Sequence, residues 1–386
     1  MPDPFIEIHD LKMKRILLSI AAVALGVASF AQTQTLYRFT PVKDIPVTSV
    51  KDQASTGTCW CFATISFLEA ELIRQGKGEY DLSEMFVVRG NYKDRIFDNY
   101  LRRGRGNVSQ GSIAHMATKV IEEYGIVPES VYDGIEYDSP RHNHGEMTAY
   151  MKGIIDVSLS QRKLSPEYKK LMESLFDIYL GKIPENFTYQ GKNYTPKSFA
   201  SMLGFDDLGD YVELTSFSHH PFYAPVSLEI PDNWDHGLQY NLPLGEFMDV
   251  IDNALRNGYT VAWDGDVSTS EFNHNKGIAI CPEPADLAEA VKLEKAFPER
   301  VVTQEIRQQG FESFDTTDDH LMHLTGLFKD QNGNLFYKTK NSWGPDRNPE
   351  MGGYLFMSRA YLQMRSISVM VHKDAIPAAI RQKLGL

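Results

Sequence analysis

Residues 59–75 read CWCFATISFLEAELIRQ, a run without glycine or proline that is stopped by Gly76. Apolar residues at 61, 65, 68 and 72 follow the +4, +3, +4 spacing of one helical face, which predicts a helix that buries Cys61. Cys59 then lies about 200° around the helix axis from Cys61. It also falls on the first turn, where unpaired N–H groups and the positive end of the helix dipole stabilise a thiolate. Cys61 reads as a small core residue. Cys59 has the position of a nucleophile, but it is equally an inert buried thiol unless a base and an oxyanion donor accompany it.

Composition narrows the setting. At 386 residues, 42% hydrophobic and 23% charged, the chain can bury a full core in one large or two apposed domains. A net charge of −12 argues against a nucleic-acid partner, since that binding needs clustered Lys and Arg. From Met13 the sequence reads MKRILLSIAAVALGVASFAQ, two positive charges ahead of an apolar stretch and small residues ending at Ala31. This is the pattern of a secretory signal, short for a membrane span. Translation from Met13 and a mature chain starting near Gln32, in the periplasm or the medium, are the expectations. There are three cysteines. Cys59 and Cys61 cannot bridge each other on a helix, and no zinc-finger spacing occurs, so neither a disulfide scaffold nor a metal site is expected.

A base must come from the eleven histidines. His142, His144, His219 and His220 sit in loop-like surroundings that suit surface roles. His320, in DTTDDHLMHLTGLF, stands directly ahead of an apolar run. About twenty residues later, two strand-like runs flank a polar, glycine-rich loop in LFYKTKNSWGPDRNPEMGGYLFMS. His320 and Asn341 are therefore expected at the ends of neighbouring strands, where an amide can orient an imidazole. On a strand His323 faces the opposite side from His320, which disfavours a metal pair.

Three stretches, QASTGTCWCF (Gln53–Phe62), DHLMHLTG (319–326) and NSWG (341–344), together resemble the papain superfamily of cysteine peptidases. The order Gln, Cys, His, Asn and the six-residue step from Gln53 to Cys59 match that family. Secreted papain-like enzymes carry a disulfide-bonded cysteine at the position of Thr56 and a long prosegment, and neither occurs here. The resemblance is to the bleomycin hydrolase branch, also called aminopeptidase C, with YNLPLGEFMDVIDNALRNGYTVAWDGDVS (240–268) similar to the segment ahead of that branch's histidine.

The resemblance implies roles. Cys59 attacks a peptide carbonyl as a thiolate paired with a protonated His320, and Asn341 holds the imidazole. Trp343 shields that bond, and Gln53 with the Cys59 N–H donates to the oxyanion. No cofactor or metal is implied. Gly111 matches a glycine whose backbone pairs with substrate, although the glycine before it is Gln110 here. Asp319 either tunes His320 or caps a loop, and Trp60 packs structurally rather than touching substrate.

An α+β, two-lobed papain-like fold is thus expected. A leader and signal fill residues 1–31, and a helical lobe carrying the nucleophile spans 32–140. A helical insertion spans 141–235, and a β-barrel-like lobe carrying His320 and Asn341 spans 236–386. The implied activity is a peptidase on short peptides, an aminopeptidase ahead of an endopeptidase or a silent peptide-binding protein. In that branch the chain's own C-terminus lies in the cleft, and HKDAIPAAIRQKLGL makes a short tail by comparison. Relatives assemble as hexamers, so the resemblance admits a homohexamer. The expected partners are peptides, with no nucleic acid and no membrane once the signal is removed.

Overall fold

The computed structural model describes residues 37–161 and 165–386. The leader, the signal segment and the expected mature start at Gln32 lie outside the described residues. The helices are α1 (Cys59–Arg74), α2 (Glu84–Leu101), α3 (Ala114–Tyr124), α4 (Gly145–Ser160), α5 (Glu167–Leu180), α6 (Pro196–Leu203), α7 (Leu244–Arg256), α8 (Leu287–Ala290), α9 (Gln304–Glu312), α10 (Arg359–Arg365) and α11 (Ala378–Leu384). The strands are β1 (Thr40–Asp44), β2 (Phe187–Tyr189), β3 (Lys192–Tyr194), β4 (Tyr211–Thr215), β5 (Pro225–Val226), β6 (Gln239–Asn241), β7 (Val261–Gly265), β8 (Phe272–Asn273), β9 (Ile278–Ala279), β10 (His320–Lys329), β11 (Leu335–Lys340), β12 (Tyr354–Ser358) and β13 (Ser366–His372).

The helix expected around the two cysteines begins at Cys59, but it is buried on far more than one stripe. Every residue from Cys59 to Leu72 is buried. The reason is its place between lobes: α1 packs on α2 and α3 on one side and on β7 and β10 on the other. Its second face carries polar side chains with dedicated partners, so the sequence looks amphipathic where the structure is buried. Glu69 accepts from Thr48 Oγ1 at 2.5 Å and from the Leu82 N–H at 2.9 Å. Ser66 meets His323 Nδ1 at 2.9 Å and the ammonium of Lys340 at 2.7 Å. Burying these groups unpaired would cost several kcal/mol (about 2–7 each), and this pairing is what makes the central position tolerable.

All but two of the strands form one sheet in the order β5-β6-β4-β13-β7-β10-β11-β12-β9-β8, with β1 also pairing to β10. β10 runs antiparallel to β7 and to β11. Its apolar residues Leu324 and Leu327 join a core with Phe247 and Ile251 of α7, while Leu321 turns to the helical core that holds Trp60, Phe86 and Met116. Segments cross the boundaries expected from sequence. α4, α5 and α6 share that helical core, β4 pairs with β13 in the main sheet, and β1 lies on β10 although it precedes α1. Among the described residues no helix is long and apolar enough to cross a membrane.

A partly buried charged triad ties the lobes together. His115, at the start of α3, meets Glu213 of β4 through Nδ1 at 2.9 Å and Asp235 through Nε2 at 2.8 Å. Burial alone would push this imidazole down, but the two carboxylates overcome that and raise it to about 10. A pKa raised on folding gives stability that is complete below the unfolded value, about 6.5, and is lost as pH climbs through about 10. His115→Gln should therefore lower the thermal midpoint most at about pH 6. The deficit against the native protein should shrink above about pH 10 in paired unfolding scans.

Candidate active site

The start of α1 and the start of β10 meet at the groove between the lobes. Cys59 is the first residue of α1, with Thr58 before it and no side-chain cap. Its N–H has no preceding helical carbonyl to bond and is free to act as a donor. The backbone N–H of Leu321, the residue after His320, bears on the Cys59 sulfur and favours its charged form. Thiol and imidazole thus come to one place from opposite lobes.

The imidazole is firmly held on its other side. His320 Nε2 donates to Asn341 Oδ1 at 2.8 Å, because β10 begins at His320 and its neighbour β11 ends at Lys340. Asn341 Oδ1 also accepts from the Ser342 N–H at 2.7 Å, and its amide meets His274 Nδ1 at 3.3 Å. Trp343 covers the pair, its ring 4.9 Å from that of His320. His274 packs edge-on against the same indole at 5.0 Å. Nothing in the loop-like EFNHNKG stretch signals His274 from sequence.

Gln53 is buried beside them. Its Oε1 accepts from Ser342 Oγ at 2.6 Å and its Nε2 donates to the Thr56 carbonyl at 2.7 Å, which leaves one amide N–H for a substrate oxygen. Its own backbone N–H donates to the Ser342 carbonyl at 2.8 Å, so the candidate oxyanion donor and the Asn341 loop are fixed to each other.

The remaining predicted residues have defined places. Trp60 is fully buried in the helical core, and its indole N–H donates to the Gln110 carbonyl at 3.0 Å. The side chain of Gln110, where the family has a glycine, accepts from the Gly57 N–H at 2.8 Å and so braces the approach to Cys59. Gly111 follows it, and the Asp232 carboxylate lies close over its Cα. Asp319 accepts from the Ser268 N–H at 3.2 Å and from Thr317 Oγ1 at 2.8 Å, which caps the loop after β7. His323 lies against Ser66 and the Phe67 ring. Cys61 is buried, its thiol donating to the Glu84 carbonyl at 3.3 Å, and all three cysteines are free. Among the described residues, His219, His220 and Glu229 have ligand atoms close enough to hold a metal ion, and none of the predicted site residues belongs to that group.

Burial dominates the electrostatics of the thiol and the imidazole. Burial pushes the Cys59 thiol up to about 12, with the Leu321 N–H opposing and the carboxylates of Asp264, Asp318 and Asp232 adding to the rise. Burial likewise pushes His320 down to about 4 against the pull of Asn341. Both shifts run opposite to the expected thiolate and imidazolium, with burial as the main cause in each. These acids escaped the sequence reading, although an Asp inside the apolar run TVAWDG was a visible signal. As arranged, the groove gathers a thiol, an imidazole held by the Asn341 amide and a Gln53 side-chain amide.

Comparisons agree with this architecture. Residues 87–385 match the model of the Peptidase C1-like family, a span that includes His320 and Asn341 and begins after Cys59. The chain is 22% identical to aminopeptidase C of Lactobacillus helveticus over 94% of its own length and 89% of that protein. It is 25% identical to aminopeptidase W of Lactobacillus delbrueckii subsp. lactis, over 87% and 84% of the two chains. The crystal structure of PepW from Lactobacillus rhamnosis HN001 superposes with a TM-score of 0.71 at 20% identity, covering 97% of this chain and 94% of that one. That likeness shows the fold.

Proposed function

Since the chain belongs to the Peptidase C1-like family, in the aminopeptidase C and bleomycin hydrolase branch of the papain superfamily, we propose that it is a cysteine aminopeptidase working through Cys59, His320 and Asn341. The observation that carries this reading is the convergence at the groove. The thiol at the start of α1 sits on the backbone next to His320, whose Nε2 is fixed by Asn341 at 2.8 Å.

In this mechanism His320 Nδ1 takes the thiol proton as the sulfur attacks the carbonyl carbon. The oxyanion is met by the Cys59 N–H and the free Gln53 amide N–H, each worth about 3–4 kcal/mol when such donors are lost elsewhere. His320 then protonates the leaving amine, and the acyl-enzyme is released when the same nitrogen activates water. Asn341 is neutral, so it orients the ring in both its neutral and charged forms without adding charge. The names of the relatives support the exopeptidase form of the reading, and Asp232 over Gly111 supports it too, because that carboxylate crowds the strip where a longer chain would lie.

Fluorogenic aminoacyl amides test the proposal. The purified protein should hydrolyse substrates with a free amino end and lose that activity on stoichiometric labelling by E-64 at Cys59. Hydrolysis that persists after complete labelling would sink the cysteine mechanism.

A further inference from the structure

The turn between β4 and β5 and the chain leaving β5 bring together three side chains that the peptidase reading does not use. Nε2 of His219 and Nε2 of His220 both meet the same oxygen of Glu229, Oε2, at 3.1 and 2.9 Å. The two imidazole rings stand 4.3 Å apart, centroid to centroid. One ligand atom from each of the three side chains lies within 4.8 Å of the other two. A tetrahedral zinc ion with ligands at about 2.0–2.1 Å holds its donor atoms about 3.3–3.4 Å apart. Two edges of such a site are therefore nearly in place.

The ligands are also held from behind. Asn241 Nδ2 donates among the carbonyls of Phe217, His220 and Pro221, at 2.8, 3.1 and 3.2 Å, and so fixes the turn that carries both histidines. Phe217 is buried with Leu228 and Ile230, so the apolar neighbours of the three ligands pack on one another. The Phe311 ring stacks on His219 at 5.7 Å. Gln308 of α9 meets His219 Nδ1 through Nε2 at 2.9 Å, and its Oε1 accepts from the Ser218 N–H at 2.6 Å. On the opposite side, His219 and Glu229 line an open cavity of ≈ 590 Å³ with Ile230, Pro231 and Phe314. A cation can enter there from solvent and keep water in a fourth position.

The donors select the cation. Two imidazoles and one carboxylate suit zinc and the neighbouring first-row divalent ions, whereas magnesium and calcium prefer all-oxygen sites. We propose that His219, His220 and Glu229 bind one zinc-class divalent ion per chain, with a fourth position open to the cavity. The ion clips the β4–β5 turn to the chain leaving β5. That chain runs on through Pro231 to Asp232, whose carboxylate stands over Gly111.

Coordination makes a specific demand on Gln308. Each Nε2 must give its lone pair to the ion, which moves the ring hydrogen to Nδ1. In His219 that hydrogen points at the Gln308 amide nitrogen, so the amide must turn its oxygen to the ring and give up the Ser218 N–H. A carboxylate at 308 serves both donors, and a carboxylate behind a ligating histidine strengthens a zinc site. Glu312, which accepts from Gln308 Nε2 at 2.9 Å, is exposed and can swing aside. Gln308→Glu should therefore bind zinc about 10-fold more tightly than the native residue, although it adds no ligand to the ion.

The test uses untagged Cys59→Ala protein, because a thiol and an imidazole at the groove are themselves metal ligands. After treatment with a chelator, zinc titration by calorimetry should fill one saturable site per chain and raise the thermal midpoint. Cobalt(II) should give the strong visible absorption of a four-coordinate site, without a sulfur-to-metal band. Losing an outer partner alone costs metal sites about 10- to 100-fold in affinity, so His220→Ala and Glu229→Gln, which remove ligands, should lose at least that much. All three ligands reach solvent, so these variants should fold and the loss reads out as binding. Unchanged zinc affinity in both variants, or no saturable site at micromolar zinc, would overturn the proposal. Calcium or magnesium binding as tight as zinc would overturn the choice of cation. Weaker binding in Gln308→Glu would overturn the geometry assigned to His219.

Discussion

Cys59→Ala should lower kcat by at least about 10⁴-fold while shifting stability by less than about 1 kcal/mol, and Cys61→Ala should do the reverse. The two thiols sit two residues apart on one helix and are both buried, so composition and burial do not distinguish them. Their neighbours do. The Cys59 sulfur lies against the Leu321 N–H at the groove, whereas Cys61 donates to the Glu84 carbonyl inside the helical core. Removing Cys59 deletes the nucleophile and leaves a small gap at the groove lip. Removing Cys61 leaves an internal gap and an acceptor without its donor, a loss of about 1–2 kcal/mol with the chemistry intact. His320→Ala should fall to the same activity floor as Cys59→Ala. The double variant should lose no more, because groups that act as one unit are strongly non-additive. Rates on a free-amine aminoacyl amide with parallel denaturant unfolding would check all four proteins. Substantial activity in Cys59→Ala would end the assignment.

The parts of this design that were legible in sequence are those set by local chemistry. The helix from Cys59 follows from a run without breakers, and β10 and β11 follow from apolar runs ending at His320 and Asn341. Adjacent antiparallel strands then bring those two side chains together without any further information. What could not be read are the contacts between distant segments. Full burial of α1 depends on partners as remote as Lys340 on Ser66 and Thr48 on Glu69 for its polar face. His274 reaches Asn341 through a loop with no periodicity of its own. Spacing places Asp318 near His320, but nothing local puts Asp232 on Gly111. The helix N-terminus, the one local cue, favours a charged sulfur, whereas burial and the charges of Asp264, Asp318 and Asp232, which come from distant segments, act in the other direction.

Trp60→Ala should be the most destabilising single change near the groove, about 3–5 kcal/mol. A typical domain holds only about 5–15 kcal/mol, so this variant should accumulate poorly or unfold near ambient temperature. The indole is fully buried among the helical-core side chains, and it also carries a polar duty. Its N–H satisfies the Gln110 carbonyl, while the Gln110 side chain reaches the Gly57 N–H and Thr148 Oγ1 at 3.1 Å. Trp60 therefore couples core packing to the strip at residues 110–111 on which Asp232 rests. Trp60→Phe isolates the polar part. It keeps most of the apolar volume but leaves the carbonyl without its donor, and should cost about 1–3 kcal/mol. With the 110–111 strip loosened, KM for free-amine substrates should rise while the rate of Cys59 alkylation stays near native, since the polar contact removed is to the Gln110 carbonyl and not to His320 or Asn341. Denaturant midpoints should rank native above Trp60→Phe above Trp60→Ala. A Trp60→Ala protein within about 1 kcal/mol of native would mean that the residue is not the packing anchor assigned to it.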